Sequence, residues 1–250
     1  MIICLLFSGQ SVALDLQAVT NWHQMVELST SVNGMVSRVN AAVGERVSRG
    51  TILLELDQRA YTSRLAAAES RLEATTQQNA EAKRELDRSL ELYDRTLLSD
   101  HERKQAEIVA AEADAAYREA DAELAKVRLL IDYSRITAPF DGIIEEIHVQ
   151  PGQAVINRQQ AQPLLTLCRT ERMKVVTDVT AQQAETLKSG MAVQIGVRGQ
   201  WLKGEISRSG LVPVAEDANG PRYRLEASFQ PPEGTLIRAG EKAVLRIADE

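Results

Sequence analysis

Val32-Asn33-Gly34-Met35-Val36, then Val43-Gly44-Glu45-Arg46-Val47, then Ile52-Leu53-Leu54-Glu55-Leu56-Asp57 form a pattern that the chain writes twice. The second copy reads Phe140-Asp141-Gly142-Ile143-Ile144, Pro151-Gly152-Gln153-Ala154-Val155 and Pro163-Leu164-Leu165-Thr166-Leu167. In both, ten positions separate the leading glycine from the glycine of the turn, and a valine follows three positions after the second glycine. Gly34 and Gly142 each precede an alternating apolar stretch, the period of a half-buried strand. Gly44 and Gly152 fit turns that require positive φ, and Pro151 sets the turn before the second. Gly34, Gly44, Gly142 and Gly152 are therefore read as the structural turns of two β-rich halves. Two such halves in register, split by a long insert, predict one small β-sandwich interrupted at its tip.

The insert changes period. From Tyr61, apolar and small residues step by four and three through Leu65, Ala68, Leu72, Thr75, Asn79, Ala82, Leu86, Ser89 and Tyr93. A second seam runs through Ala106, Ala110, Ala113, Tyr117, Ala120, Leu124, Val127 and Ile131. Seams of this kind predict an antiparallel α-helical coiled-coil hairpin over 58–134. Thr96-Leu97-Leu98-Ser99-Asp100-His101 breaks the pattern, which puts the tip near 94–101 with Ser99 or Asp100 capping the second helix. Thr75, Asn79 and Ser89 weaken the first seam, and a polar residue there costs stability while fixing register. Helices of just under forty residues give a hairpin roughly 50 Å long.

The sandwich is assigned to 20–57 plus 135–168, and 169–250 reads as a different body. Met173–Val179 alternates like a strand, and Thr180 can cap a short helix over 181–187 that stops at Gly190. Further strands over Ala192–Val197, Leu202–Ser207, Tyr223–Phe229 and Ala243–Ile247 predict a small antiparallel β-barrel. Met1–Ser8 is apolar but too short to span a bilayer, and Ser11-Val12-Ala13 suits signal-peptidase cleavage. Residues 1–13 are accordingly read as a signal peptide, with a buried first strand as the alternative.

The composition narrows the function classes. A net charge of -6 without a basic stripe argues against a nucleic-acid partner. His23, His101 and His148 are scattered, no Cys/His or carboxylate cluster has metal-ligand spacing, and no glycine motif opens a helix as a phosphate loop would. No catalytic, cofactor-binding or metal residue is therefore expected, and the chain does not read as an enzyme. Cys4 lies in the signal, which leaves Cys168 as a small core residue without a disulfide partner in the chain.

The two halves look like those of a biotinyl/lipoyl carrier domain. Where a carrier presents its modifiable lysine, this chain reads Leu56-Asp57-Gln58-Arg59-Ala60 and continues into a helix, so no such cofactor is expected. A lipoyl-like domain split by a coiled-coil hairpin resembles the periplasmic adaptor, or membrane-fusion, proteins of tripartite efflux pumps and type I secretion systems. The likeness is greatest to the resistance-nodulation-division efflux adaptors of the hemolysin-D-type family. Ser134-Arg135-Ile136-Thr137-Ala138-Pro139-Phe140-Asp141-Gly142 looks like that family's return into the sandwich.

The resemblance implies a mixed α and β, elongated multidomain fold: a split lipoyl-like sandwich, a helical hairpin and a barrel that takes an N-terminal strand, here from 22–31. Only Ala248, Asp249 and Glu250 follow the last strand, so the membrane-proximal domain of longer adaptors is expected to be missing, with no membrane anchor in its place. It implies a ring of copies, hexameric in the family, linking an inner-membrane efflux transporter to an outer-membrane channel from the periplasm. In these adaptors an arginine, a leucine four residues on and a serine seven further contact the channel, and Arg88, Leu92 and Ser99 have that spacing. Arg95, and Leu97 or Leu98 (Leu98 preferred), extend that contact. The alternatives are an adaptor of an ATP-driven or type I exporter, and a coiled-coil scaffold or unmodified lipoyl-like interaction module.

Overall fold

The computed structural model describes residues 14–247 apart from 157–160, 219 and 233. The signal peptide expected over 1–13 lies outside the described residues. The elements run β1 (Leu14–Trp22), β2 (Met25–Leu28), β3 (Gly34–Val39), β4 (Arg46–Val47), β5 (Ile52–Leu56), α1 (Arg59–Asp94) and α2 (Asp100–Tyr133). They continue β6 (Arg135–Thr137), β7 (Gly142–Ile147), β8 (Ala154–Val155), β9 (Leu165–Cys168), β10 (Met173–Thr180) and α3 (Ala181–Thr186). The chain closes with β11 (Ala192–Val197), β12 (Gln200–Asp217), β13 (Gly220–Phe229) and β14 (Lys242–Ile247).

The duplicated motif builds two four-stranded sheets, β2-β9-β7-β4 and β6-β5-β3-β8. Each sheet mixes strands of both copies, because β4 pairs with β7 and β8 with β3. The exchange repeats down to single bonds. Val36 N–H donates to the Gln153 carbonyl and Gly152 N–H to the Val36 carbonyl, both at 2.8 Å. At the equivalent place Ile144 N–H donates to the Glu45 carbonyl at 3.0 Å and Gly44 N–H to the Ile144 carbonyl at 2.8 Å. Neither half can therefore complete its sheets alone, and Leu53, Leu54, Leu56, Ile144, Leu164, Leu165 and Leu167 fill the shared interior.

The four motif glycines divide into two kinds. Gly44 and Gly152 occupy turns with φ of +83° and +86°, where a side chain is strained but space is open. Gly34 and Gly142 are the first residues of β3 and β7, so reading all four as turns needs correction. A Cβ on Gly142 would lie 2.4 Å from the Cys168 carbonyl oxygen, so here the glycine permits close strand approach.

Helices α1 and α2, 36 and 34 residues long, make a hairpin of about 50 Å. Its base is fastened to the sandwich by hydrogen bonds from Tyr61 Oη to the Asn33 carbonyl at 2.8 Å and from the Arg135 guanidinium of β6 to Gln58 Oε1 at 3.1 Å, while Gln58 Nε2 ties the two helix ends together through Ser134 Oγ at 2.8 Å. Ala68, Leu124 and Val127 form a small apolar cluster near that base. Further out, α1 buries Thr75, Asn79 and Ser89, while Tyr93, at the end of the seam, is exposed.

The second β body is a closed barrel in the order β1-β10-β13-β12-β11-β14. Its N-terminal strand differs from the one expected over 22–31. Residues 20–22 belong to barrel strand β1, whereas Met25–Leu28 pairs with β9 in the sandwich. Ala18, Thr20 and Trp22 of β1 point inward, a small-polar-aromatic alternation with little apolar contrast for a sequence pattern to reveal. Strand β12 also runs well past Ser207. Register shifts between Ile206 and Arg208, and again around Pro213, interrupt the alternation that would mark one long strand. Thr180 and Gln183 form a capping box on α3.

Candidate functional site at the hairpin tip

The turn between α1 and α2 is built by two different caps. Helix α1 ends as the Leu97 N–H donates to the Leu92 carbonyl at 2.9 Å and the Thr96 N–H to the Tyr93 carbonyl at 2.8 Å. These are the paired bonds of a Schellman ending, and they place Thr96 at the left-handed position with φ of +60°. Helix α2 starts on a capping box. Ser99 Oγ accepts from the Glu102 N–H at 3.3 Å, and the Glu102 carboxylate accepts from the Ser99 N–H at 2.9 Å. The Ser99 hydroxyl proton also goes to Glu102, at 2.7 Å, and these bonds hold the Glu102 carboxyl below its usual range. The adjacent acids Asp100 and Glu102 suit the positive end of α2.

Arg103 joins the two helices at this end. It pairs with Asp100 at 2.8 Å and with Glu107 on its own helix, and its guanidinium lies 5.1 Å from the centre of the Tyr93 ring on α1. Sequence reading missed it, because an arginine on a charged face looks the same whether solvated or stacked. Lys104 adds a second cation to Asp100, and together Lys104 and Arg103 depress that carboxyl.

Of the residues singled out from the sequence, Arg88 is exposed on α1 and paired with Glu85 at 2.6 Å. Arg95 is exposed and pairs with Glu91 one turn back. Leu92 and Leu98 are half-buried, whereas Leu97 is 70% exposed at the apex. The exposed apolar side chain at the very end is thus Leu97. Behind it, a groove of about 410 Å³ runs between the helices, with Ala82, Ser89, Leu98, His101 and Val109 on its walls. Exposed ion pairs of this kind contribute little to stability, so their cations stay available to a facing acceptor at small cost. The tip therefore offers a rigid double-capped turn, an exposed leucine and several guanidinium groups.

Residues 24–167 match the family model described as RND MFP, barrel-sandwich hybrid domain. The macrolide export protein MacA of Yersinia pestis is 29% identical over 188 residues, covering 70% of this chain and 51% of its own length. The multidrug export protein AcrE of Escherichia coli (strain K12) is 28% identical over 235 residues, covering 94% of this chain and 59% of its own length. The chain thus spans a little over half the length of these two curated relatives. The crystal structure of MacA from Actinobacillus actinomycetemcomitans superposes with a TM-score of 0.74 and 19% identity, covering 95% of this chain and 79% of that one. At that identity the superposition shows a shared fold.

Proposed function

The chain belongs to the membrane-fusion protein family of RND systems, and on that premise we propose that it is a periplasmic adaptor linking an inner-membrane efflux transporter to an outer-membrane channel. Copies side by side form the wall of a conduit, with hairpin tips toward the channel and barrels toward the transporter. Among the described residues no helix is long and apolar enough to cross a membrane. Association with the inner membrane in this reading runs through the transporter. Energy for transport belongs to the transporter, and this chain couples and seals.

The observation that carries the reading is the geometry of the tip. A hairpin about 50 Å long, fastened at its base to a sandwich built by two interlocked half-motifs, ends in a stiff turn bearing Leu97 and the flanking arginines. Such a turn fits the end of another helical hairpin, with guanidinium donors reaching its carbonyls and carboxylates. Arg88 and Leu92 lie on the α1 side of this contact and Arg95, Leu98 and Ser99 within or beside the turn. Ser99 acts chiefly by holding the start of α2 in place.

Replacing Arg88 by Glu or Leu92 by Ala is expected to abolish export-dependent drug resistance while helix content by circular dichroism stays unchanged. Loss of helicity in both variants would instead make the two residues structural. A photo-crosslinking amino acid at Leu97, which leaves both caps intact, is expected to capture an outer-membrane channel in cells. Capture of cytosolic proteins alone would overturn the adaptor reading.

A further inference from the structure

The barrel and the sandwich share one apolar interface. Trp22, the last residue of β1, is buried in the barrel cluster, and Ile143 of β7 and Cys168 of β9 reach into that cluster from the sandwich. Two short connectors, residues 23–24 and 169–172, cross between the bodies. The Arg169 N–H donates to the Gln24 carbonyl at 3.0 Å, tying one connector to the other. The Arg169 guanidinium lies 4.7 Å from the centre of the Phe140 ring. Connectors this short limit separation of the two bodies but leave their relative tilt to side-chain contacts.

One carboxylate spans this joint. Oε1 of Glu145 accepts the indole N–H of Trp22 at 3.0 Å, and Oε2 accepts the Cys168 thiol at 2.9 Å. Burial, together with the neighbouring carboxylate, pushes the Cys168 thiol up, so it remains a protonated donor. An ionised carboxylate carries acceptors alone, so it serves an indole and a thiol at once. Glutamine of the same size has one acceptor and one donor end and can serve only one of them. Trp22 and Cys168 are both buried, so loss of Glu145 leaves two donors without their partner.

We propose that Glu145 is a latch that fixes the tilt of the barrel on the sandwich, through Trp22 on one side and Cys168 on the other. With the latch closed, displacement of the barrel carries the sandwich and its hairpin as one body. With it open, the barrel swings on the two connectors and the hairpin is uncoupled. Glu145 touches neither the hairpin nor its tip, so its role is one of positioning.

The test uses the full chain with spin labels on cysteines placed at Glu27 in the sandwich and Lys203 in the barrel, both exposed, while the native Cys168 is fully buried. Pulsed electron resonance is expected to give one narrow distance distribution for the parent chain. Glu145→Gln and Trp22→Phe should each broaden it and speed exchange of the Arg169 amide about tenfold. The Leu165 and Leu245 amides, inside the two bodies, should keep their rates. Cys168→Ser, which retains a donor, should behave like the parent, and Cys168→Ala like Glu145→Gln. An unchanged distribution and unchanged Arg169 exchange in both Glu145→Gln and Trp22→Phe would overturn the latch. Equal acceleration at Leu165 and Leu245 would overturn it too, by making Glu145 a contributor to overall stability.

Discussion

Thr96 holds a backbone conformation that the left-handed end of a helix ordinarily gives to glycine. A β-branched residue there is strained, so Thr96→Gly should raise stability by about 1 kcal/mol, read from thermal melting of the helical signal. Gly142 makes the opposite point. Its missing Cβ makes room for the Cys168 carbonyl, and Gly142→Ala should cost about 3 kcal/mol in urea unfolding. At Gly34 the nearest atom to an added Cβ is a Leu56 side-chain carbon at 3.3 Å, which can shift, so Gly34→Ala should cost under about 1 kcal/mol. Asp57 carries the pH response of the hairpin base. Hydrogen bonds from the Arg59 side chain, then from its backbone N–H, lower the Asp57 carboxyl from 3.8 to about 2 in the folded chain. A depressed folded value means the stabilisation is complete above the unfolded value and is lost as pH falls through the folded one. The first turn of α1 should therefore loosen between about pH 4 and pH 2, seen in the Arg59 amide resonance. Asp57→Asn should remove that pH dependence. None of these sites differs in its own sequence window from an ordinary loop threonine, strand glycine or surface aspartate.

At the scale of elements, the hairpin is the part most legible in the sequence, because strands and loops do not sustain a 3.5-residue period over many turns. The buried polar residues of α1 fall where that period put them. Asn79 donates to Asp114 across the hairpin at 3.3 Å, yet its Oδ1 has no hydrogen-bond partner in the structure. A buried unsatisfied acceptor costs free energy, so Asn79→Leu should raise the melting stability of the hairpin by about 1 kcal/mol. A fall in melting temperature would show that the bond to Asp114 outweighs the orphaned oxygen. Strands were less legible for a physical reason. Over six or ten residues a period of two competes with turn residues and bulges, and β1 and β12 are both cases where the inward positions are not uniformly apolar. Arg103 belongs here also, since its stacking on Tyr93 depends on how two distant helix turns meet.

For the whole molecule, apolar burial is distributed unevenly. The barrel and the sandwich each enclose a large cluster, whereas the hairpin's own cluster is Ala68, Leu124 and Val127 with Leu65 and Leu72 against it. Denaturation should then depart from two-state behaviour, with helical circular dichroism lost at lower urea than the fluorescence change of Trp22 and Trp201. Coincident transitions would show that the base bonds of Tyr61 to Asn33 and of Arg135 to Gln58 couple the hairpin to the sandwich more strongly than its own packing suggests. Repetition and periodicity are local properties of the chain, so the duplicated halves, the hairpin between them and the barrel after them could all be read from residue order. Packing in three dimensions was needed to show that the halves exchange strands, that β1 rather than Met25–Leu28 completes the barrel, and that Leu97 stands at the apex. It also brought Trp22, Glu145 and Cys168 together. That meeting requires the ends of β1 and β9 to reach the middle of β7, and distances between remote segments are set by packing rather than by pattern.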